Sequence, residues 1–161
     1  MVQKNLRVKW YLKNIHSTIL KEKPNYLFKI VGAGNQSAIL EEIKDISQVE
    51  FTGKVKDIAK EILSACVCVA PLVSGAGFRG KVTQYASLCK ATVTTSIGAC
   101  GLILKNGRDI IVQDDPQNFA ESIVELLDNV EKRKSMEQSA YNITRSHYSW
   151  EKKLKELESL Y

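Results

Sequence analysis

Apolar side chains recur along this 161-residue chain with two periods that alternate from one end to the other. Val8, Leu12, Ile15 and Ile19 follow at steps of four, three and four, the stripe of one amphipathic helix, and Pro24 ends it. Residues 26–31 form a buried strand running into Gly32-Ala33-Gly34. A short helix is predicted over 37–46 with Ile39, Ile43 and Ile46 on one side, and residues 49–52 form a second strand stopped at Gly53. Asp57 is placed to cap the next helix, with Glu61 in its following turn. The apolar run Cys66-Val67-Cys68-Val69-Ala70 is of the kind found in parallel sheets covered on both faces, and Pro71 closes it.

A glycine-rich loop over 74–80 then opens a helix that runs to about residue 88. Strands are predicted over 91–95 and 109–112, separated by a loop over 98–101. Pro116 suits the first turn of a helix whose buried side is Phe119, Ile123, Leu126, Leu127 and Val130. A last helix after Ser149 buries Trp150, Leu154 and Leu157. Alternating strands and helices with short connections specify an α/β fold, a Rossmann-like and mostly parallel sheet with helices on both faces. In such sheets ligands bind beyond the carboxyl ends of the strands. That selects the loops at 32–36, 53–57, 71–81, 95–101 and 113–115.

Of these loops, Gly75-Ala76-Gly77-Phe78-Arg79-Gly80-Lys81 carries the sharpest chemistry. Glycines let backbone N–H groups approach an anion, the helix N-terminus adds a favourable dipole, and Arg79 and Lys81 supply fixed positive charge for a diphosphate. No Gly-Lys-Ser/Thr is present, so this is not a P-loop. The Gly32-Ala33-Gly34 turn lacks the rest of a dinucleotide fingerprint: Ser37 stands at its third position, and Glu50 lies within a strand, too far back to reach a ribose. Asp114 and Asp115 read as helix caps ahead of Pro116. Cys89 and Cys100 read as packing residues, and with only His16 and His147 no zinc motif is available, so no metal is expected.

Composition narrows the class. The chain is 44% hydrophobic with 3 Pro and 9 Gly, the make-up of one globular domain, here residues 1–161. Its longest apolar run, 62–73, is interrupted by Ser64 and Pro71 and is too short to cross a bilayer. No export leader is recognised, so a cytoplasmic location with 4 reduced Cys is expected. The net charge of +5 is unevenly spread: residues 1–29 hold seven Lys or Arg against Glu22 alone. Nucleic acid, a membrane surface and an acidic partner all suit such a segment, but a solvated lysine-rich helix face accounts for it more simply.

Five segments in order also carry a family resemblance. They are Val31-Gly32-Ala33-Gly34, Phe51-Thr52-Gly53-Lys54-Val55-Lys56-Asp57, Ala70-Pro71-Leu72 with Gly75-x-Gly77-x-Arg79-x-Lys81, the stretch from Thr94 to Leu102, and Tyr148-Ser149-Trp150. Together they resemble the C-terminal, nucleotide-sugar-binding half of GT-B glycosyltransferases, in particular the group 1 enzymes of glycosyltransferase family 4, which retain anomeric configuration. The resemblance implies that Gly75, Ala76, Gly77, Phe78, Arg79 and Lys81 meet the diphosphate and donor sugar. It places Gly53, Lys54, Val55 and Asp57 beside the nucleobase. Gln84 occupies the place of a ribose-binding Glu, and Ala76 that of its partner Glu. An amide still bonds two hydroxyls, though without a carboxylate's charge.

The implied activity is sugar transfer from a nucleotide-diphosphate sugar in polysaccharide or glycoconjugate synthesis. No cofactor beyond the donor is implied, no nucleic acid, and at most peripheral membrane contact of the parent enzyme. Catalytic residues are not assigned. Two other readings stand beside it, an NAD(P)-dependent oxidoreductase domain and a noncatalytic nucleotide-binding or interaction module. By the resemblance, the chain is expected to correspond to part of an enzyme, without the N-terminal acceptor domain and the first strand of the donor domain. Residues 26–31 are therefore expected either to pair directly with 66–70 or to leave a gap that self-association fills.

Overall fold

The computed structural model of the chain describes residues 2–34, 36–43, 46–74 and 80–148. The predicted first helix is two: α1 (Val2–Asn14) and α2 (His16–Glu22). The side chain of Asn14 bonds the Trp10 carbonyl at 2.8 Å, competing with the backbone ladder where the two helices part. Tyr11, Leu12, Ile15 and Ile19 nevertheless stay buried across the break. His16, just off that stripe, turns inward: its Nε2 donates to the Ser47 carbonyl at 2.8 Å and its Nδ1 bonds the Tyr26 hydroxyl.

Strand β1 (Phe28–Val31) pairs in parallel with β2 (Val49–Gly53), matching Phe28 to Val49 and Ile30 to Phe51. Between them α3 (Gln36–Leu40) is shorter than the predicted 37–46. Ile39 and Ile43 are buried as expected, whereas Ile46 lies beyond the helix and is exposed. After α4 (Ile58–Ser64), a second parallel sheet runs in the order β3 (Cys68–Ala70), β4 (Thr92–Thr94), β5 (Ile111–Val112). Helix α5 (Gly80–Ser87) and the short α6 (Ser96–Ala99) follow β3 and β4 in turn. The chain then forms α7 (Pro116–Asp128) and α8 (Val130–Tyr148).

Val130 opens α8 and is exposed, against the expectation that it extends the buried face of α7. Asn129 makes the break: its N–H closes α7 on the Glu125 carbonyl at 2.8 Å, while its side chain accepts from Lys132 N at 2.9 Å. The helix expected after Ser149, with Trp150, Leu154 and Leu157, lies outside the described residues.

The two sheets do not join, so direct pairing of 26–31 with 66–70 is not what the chain does. Tyr11 of α1 stacks on Phe28 with ring centroids 4.1 Å apart, and Ile123 and Leu127 of α7 line the same gap. A cavity of about 590 Å³ lies between the facing edges of β1 and β3. One apolar core nevertheless spans both sheets, from Ile30 and Ile39 through Tyr11 and Ile19 to Val93, Ile111 and Phe119. A second core of Ala70, Leu72, Val82, Ala86, Ile110 and Ala140 packs α5 and α8 against the three-stranded sheet.

Two buried polar features pin this second sheet. Asp109, fully buried ahead of β5, receives the Arg108 guanidinium twice at 2.8 Å, the Lys105 amide at 2.8 Å and the Ser139 hydroxyl of α8. Burial by itself would push its carboxyl up, but these donors outweigh that and hold it at about 2 against an ordinary 3.8. A depressed carboxyl stabilises the fold above its unfolded pKa and loses that contribution as pH falls through the folded value. Thermal midpoints measured across pH should therefore drop between about pH 4 and pH 2 by the equivalent of about 2 kcal/mol. Asp109→Asn should flatten that acid limb and lower the midpoint at neutral pH.

The second feature is the corner between β4 and α6. The Thr94 hydroxyl donates to the Ala70 carbonyl at 2.8 Å and the Thr95 hydroxyl to the Leu72 carbonyl at 2.6 Å, tying β4 to the end of β3. Gly98 fits beneath because it has no side chain: a Cβ there would collide with Thr94 Oγ1 and lie 3.3 Å from the Ala70 carbonyl. Gly98→Ala should cost about 1–3 kcal/mol in denaturant unfolding. Adding Thr94→Ala should recover part of that loss, so that the two changes are strongly non-additive.

Candidate functional site

Among the described residues, those that the sequence nominates follow β2 and β3. After β1, Gly32 turns with φ 107 and its N–H bonds the Gly53 carbonyl at 2.9 Å, so the first glycine turn and the loop after β2 are one unit. Gly53 itself sits at φ 66 with open space around it. Gly32, Ala33, Gly34, Gln36, Gly53 and Lys54 line a cavity of about 260 Å³ there. Val55 and Asp57 do not line it. Asp57 is instead occupied as the N-cap of α4, accepting from Ala59 N at 2.9 Å and Lys60 N at 3.2 Å. The sequence reading of Asp57 as a cap holds, and that cap takes one of its carboxylate oxygens.

On the other side of β1 lies a larger cavity of about 590 Å³. At the carboxyl end of β3 it is lined by Pro71, Leu72, Lys81, Gln84 and Tyr85. Lys81, Gln84 and Tyr85 are at i, i+3 and i+4 of α5, hence on one helical face. Lys81 is exposed and Gln84 half-buried. The structure thus brings Lys81 and Gln84 to one cavity and Gly53 and Lys54 to its neighbour, with Val8 and Ile30 lining both. Gly75, Ala76, Gly77, Phe78 and Arg79 lie outside the described residues.

The remaining polar groups at this end serve the fold. Asp114 and Asp115 cap as the sequence suggests, but two different helices: Asp114 accepts from Ser96 N of α6 at 2.8 Å, and Asp115 from Asn118 N of α7 at 2.9 Å. Thr95 closes the first turn of α6 by accepting from Gly98 N at 3.2 Å. Sequence reasoning named the 95–101 loop without foreseeing that Thr94 and Thr95 stitch it to β3. Their only sequence signal is a Thr pair at a strand end ahead of a small-residue turn. Glu50, exposed within β2, lies 4.0 Å from Lys29 Nζ and on the strand rather than at its end, in line with the incomplete dinucleotide fingerprint.

The thiols and the basic segment take ordinary roles. Burial pushes the Cys68 thiol up to about 12, far from nucleophilic character, and Cys89 closes α5 in a left-handed conformation at φ 57. Four of the seven early cations face carboxylates of later elements: Lys9 and Lys13 bond Glu42, Lys23 bonds Asp128, and Lys29 lies 3.2 Å from Glu61. Much of the early positive charge is therefore matched within the chain. Among the described residues, no helix is long and apolar enough to cross a membrane.

Comparison with known proteins gives this geometry a family. A 44.6 kDa protein encoded in the cps region of Klebsiella pneumoniae is 27% identical over 152 residues, covering 89% of this chain and 39% of its own length. The chain spans about two fifths of the curated relatives it matches. The crystal structure of Anabaena Alr3699/HepE with UDP-glucose superposes with a TM-score of 0.73 at 14% identity, covering 91% of this chain and 44% of that one. The C-terminal domain of the group 1 glycosyl transferase LpcC from Francisella tularensis superposes at 0.69 with 15% identity, covering 93% and 82%. The α/β fold, with its parallel sheets and flanking helices, is that of GT-B glycosyltransferases. Residues 1–129 match the family of glycosyl transferases group 1, and the chain belongs to that family.

Proposed function

We propose that this chain is the donor-binding part of a sugar transferase, taking a nucleoside-diphosphate sugar and passing the sugar to an acceptor in polysaccharide or glycoconjugate synthesis. The observation that carries the reading is the convergence of Lys81 and Gln84 on one cavity at the carboxyl end of β3, directly after the glycine-rich segment. Lys81, with Arg79 two residues earlier in sequence, supplies charge to a diphosphate. Gln84, one turn further along α5, offers an amide to the ribose hydroxyls. Gly53 and Lys54 take the nucleobase side through backbone groups. Gly75, Ala76, Gly77 and Phe78 provide the N–H groups around the phosphates. The UDP-glucose bound to the Anabaena neighbour makes a uridine diphosphate sugar the first donor to test. Retention of anomeric configuration is proposed from the resemblance to family 4.

Group 1 membership favours this reading over a nicotinamide enzyme. Ala76 and Gln84, in place of a Glu pair, are what support a binding module without catalysis.

Calorimetric titration of the 161-residue chain tests the assignment. UDP should bind weakly, near millimolar, because an open cleft encloses little of the ligand. Lys81→Ala and Arg79→Ala should each weaken UDP and inorganic pyrophosphate alike by several-fold. Gln84→Ala should weaken UDP and leave pyrophosphate unchanged, since only UDP carries ribose hydroxyls. Equal affinities of the wild type and both cation variants at low salt would overturn the diphosphate assignment. The chain by itself should show no sustained transfer, because transfer needs donor and acceptor held together.

A further inference from the structure

Arg7 of α1 lines the same cavity as Lys81 and Gln84, and its Nε is buried with no hydrogen-bond partner among the described residues. A buried guanidinium N–H without an acceptor is costly, and such orphans are rare in folded chains. No carboxylate of the cavity answers it. Glu61, the only acidic residue among the described ones that line the cavity, is held by Lys29 at 3.2 Å.

Arg7 stands at the carboxyl end of the strands, as Lys81 does. Two residues before it on α1, the Oδ1 of Asn5 would lie 3.8 Å from a Cβ placed on Gly34, in the turn after β1. Val8, the next residue, lines both cavities. The two cations approach from opposite faces of the sheet. Val69 of β3 packs against the core that holds Tyr11 of α1, whereas Ala70 packs with Val82 and Ala86 of α5. Successive strand residues point to opposite faces, so α1 and α5 cover different ones.

We propose that Arg7 is a further diphosphate-binding residue, and that it supplies a preference for a diphosphate over a monophosphate. The inference rests on the donor reading and adds a cation from the other face of the sheet. Two phosphates lying between Lys81 and Arg7 each meet a positive charge, whereas a single phosphate is served by Lys81 alone. The planar guanidinium offers its Nε–H and a terminal N–H in parallel, so two oxygens of one phosphate complete the bonding of the buried Nε. A lysine in its place keeps the charge and loses that fork.

Titrations of UDP, UMP and inorganic pyrophosphate at low salt compare the wild-type chain with Arg7→Met, Arg7→Lys and Lys81→Ala. Arg7→Met should weaken UDP and pyrophosphate several-fold and leave UMP nearly unchanged, and Arg7→Lys should recover part of the loss. In the nitrogen-labelled wild type, the Arg7 Nε–H resonance should shift and exchange more slowly with water when pyrophosphate is added. That readout reports on the group itself and needs no variant to fold. The inference is overturned, with the donor reading left standing, if Arg7→Met binds pyrophosphate like the wild type while Lys81→Ala weakens it. It is overturned likewise if the Nε–H resonance ignores bound pyrophosphate, or if Arg7→Met weakens UMP as much as UDP. Equal pyrophosphate affinity in the wild type and every variant, or no binding at all, overturns the diphosphate assignment and this inference with it.

Discussion

No backbone ladder connects the two sheets, so their relative placement depends on side-chain packing around Tyr11. The Tyr11 ring stacks on Phe28 of β1 at 4.1 Å and meets Phe119 of α7 edge-on at 6.5 Å, while Trp10 approaches Phe119 edge-on at 5.9 Å. One helix thereby holds the first sheet to the helix that covers the second. Aromatic pairs of this kind add about 0.5–1.5 kcal/mol each beyond the area they bury. The contact also desolvates Tyr11, and burial raises its hydroxyl well above the ordinary range. Polar links reinforce the junction from outside: Lys23 of the α2 C-cap reaches Asp128 of α7, and Lys29 of β1 reaches Glu61 of α4. These are exposed or half-exposed pairs, and packing outweighs them.

That arrangement explains where chemistry is available. Parallel strands place their connecting loops at one end, and there the fold uses nearly every acidic group for itself. Asp57, Asp114 and Asp115 each satisfy helix N–H groups that would otherwise lie unpaired, while Thr94 and Thr95 hold β4 to the carbonyls that end β3. Lys81 and Gln84 line the larger cavity.

The placement of charge follows the same economy. A sequence with a basic opening segment invites an external anionic partner, yet Lys9, Lys13, Lys23 and Lys29 meet carboxylates contributed by α4, α7 and the stretch after α3. Sequence separations of about thirty to one hundred residues bring these pairs together only after the chain has folded. Such contacts are individually weak, but they orient α1 and α2 over the core and lessen mutual repulsion among the lysines.

The alternation of periods in the sequence determined the α/β class, the order of the strands and most of the core, because burial on one helical face or within a covered strand leaves a direct trace in residue spacing, whereas α6 and the long α8 were not foreseen. The caps at Asp57 and Asp115 were legible too, since they act within one turn of their own position. Local pattern could not show the break at Ile15, the new helix start at Asn129, or the burial of His16 between Tyr26 and Ser47. In the site, the sequence nominated Gly53, Lys81 and Gln84 through spacing and resemblance. Only the tertiary structure divided Gly53 and Lys54 from Lys81 and Gln84 across β1. Whether two predicted strands pair depends on where the surrounding elements set the two sheets, here with a cavity of about 590 Å³ between β1 and β3. That is a property of residues far apart in sequence, and no single stretch of the chain encodes it.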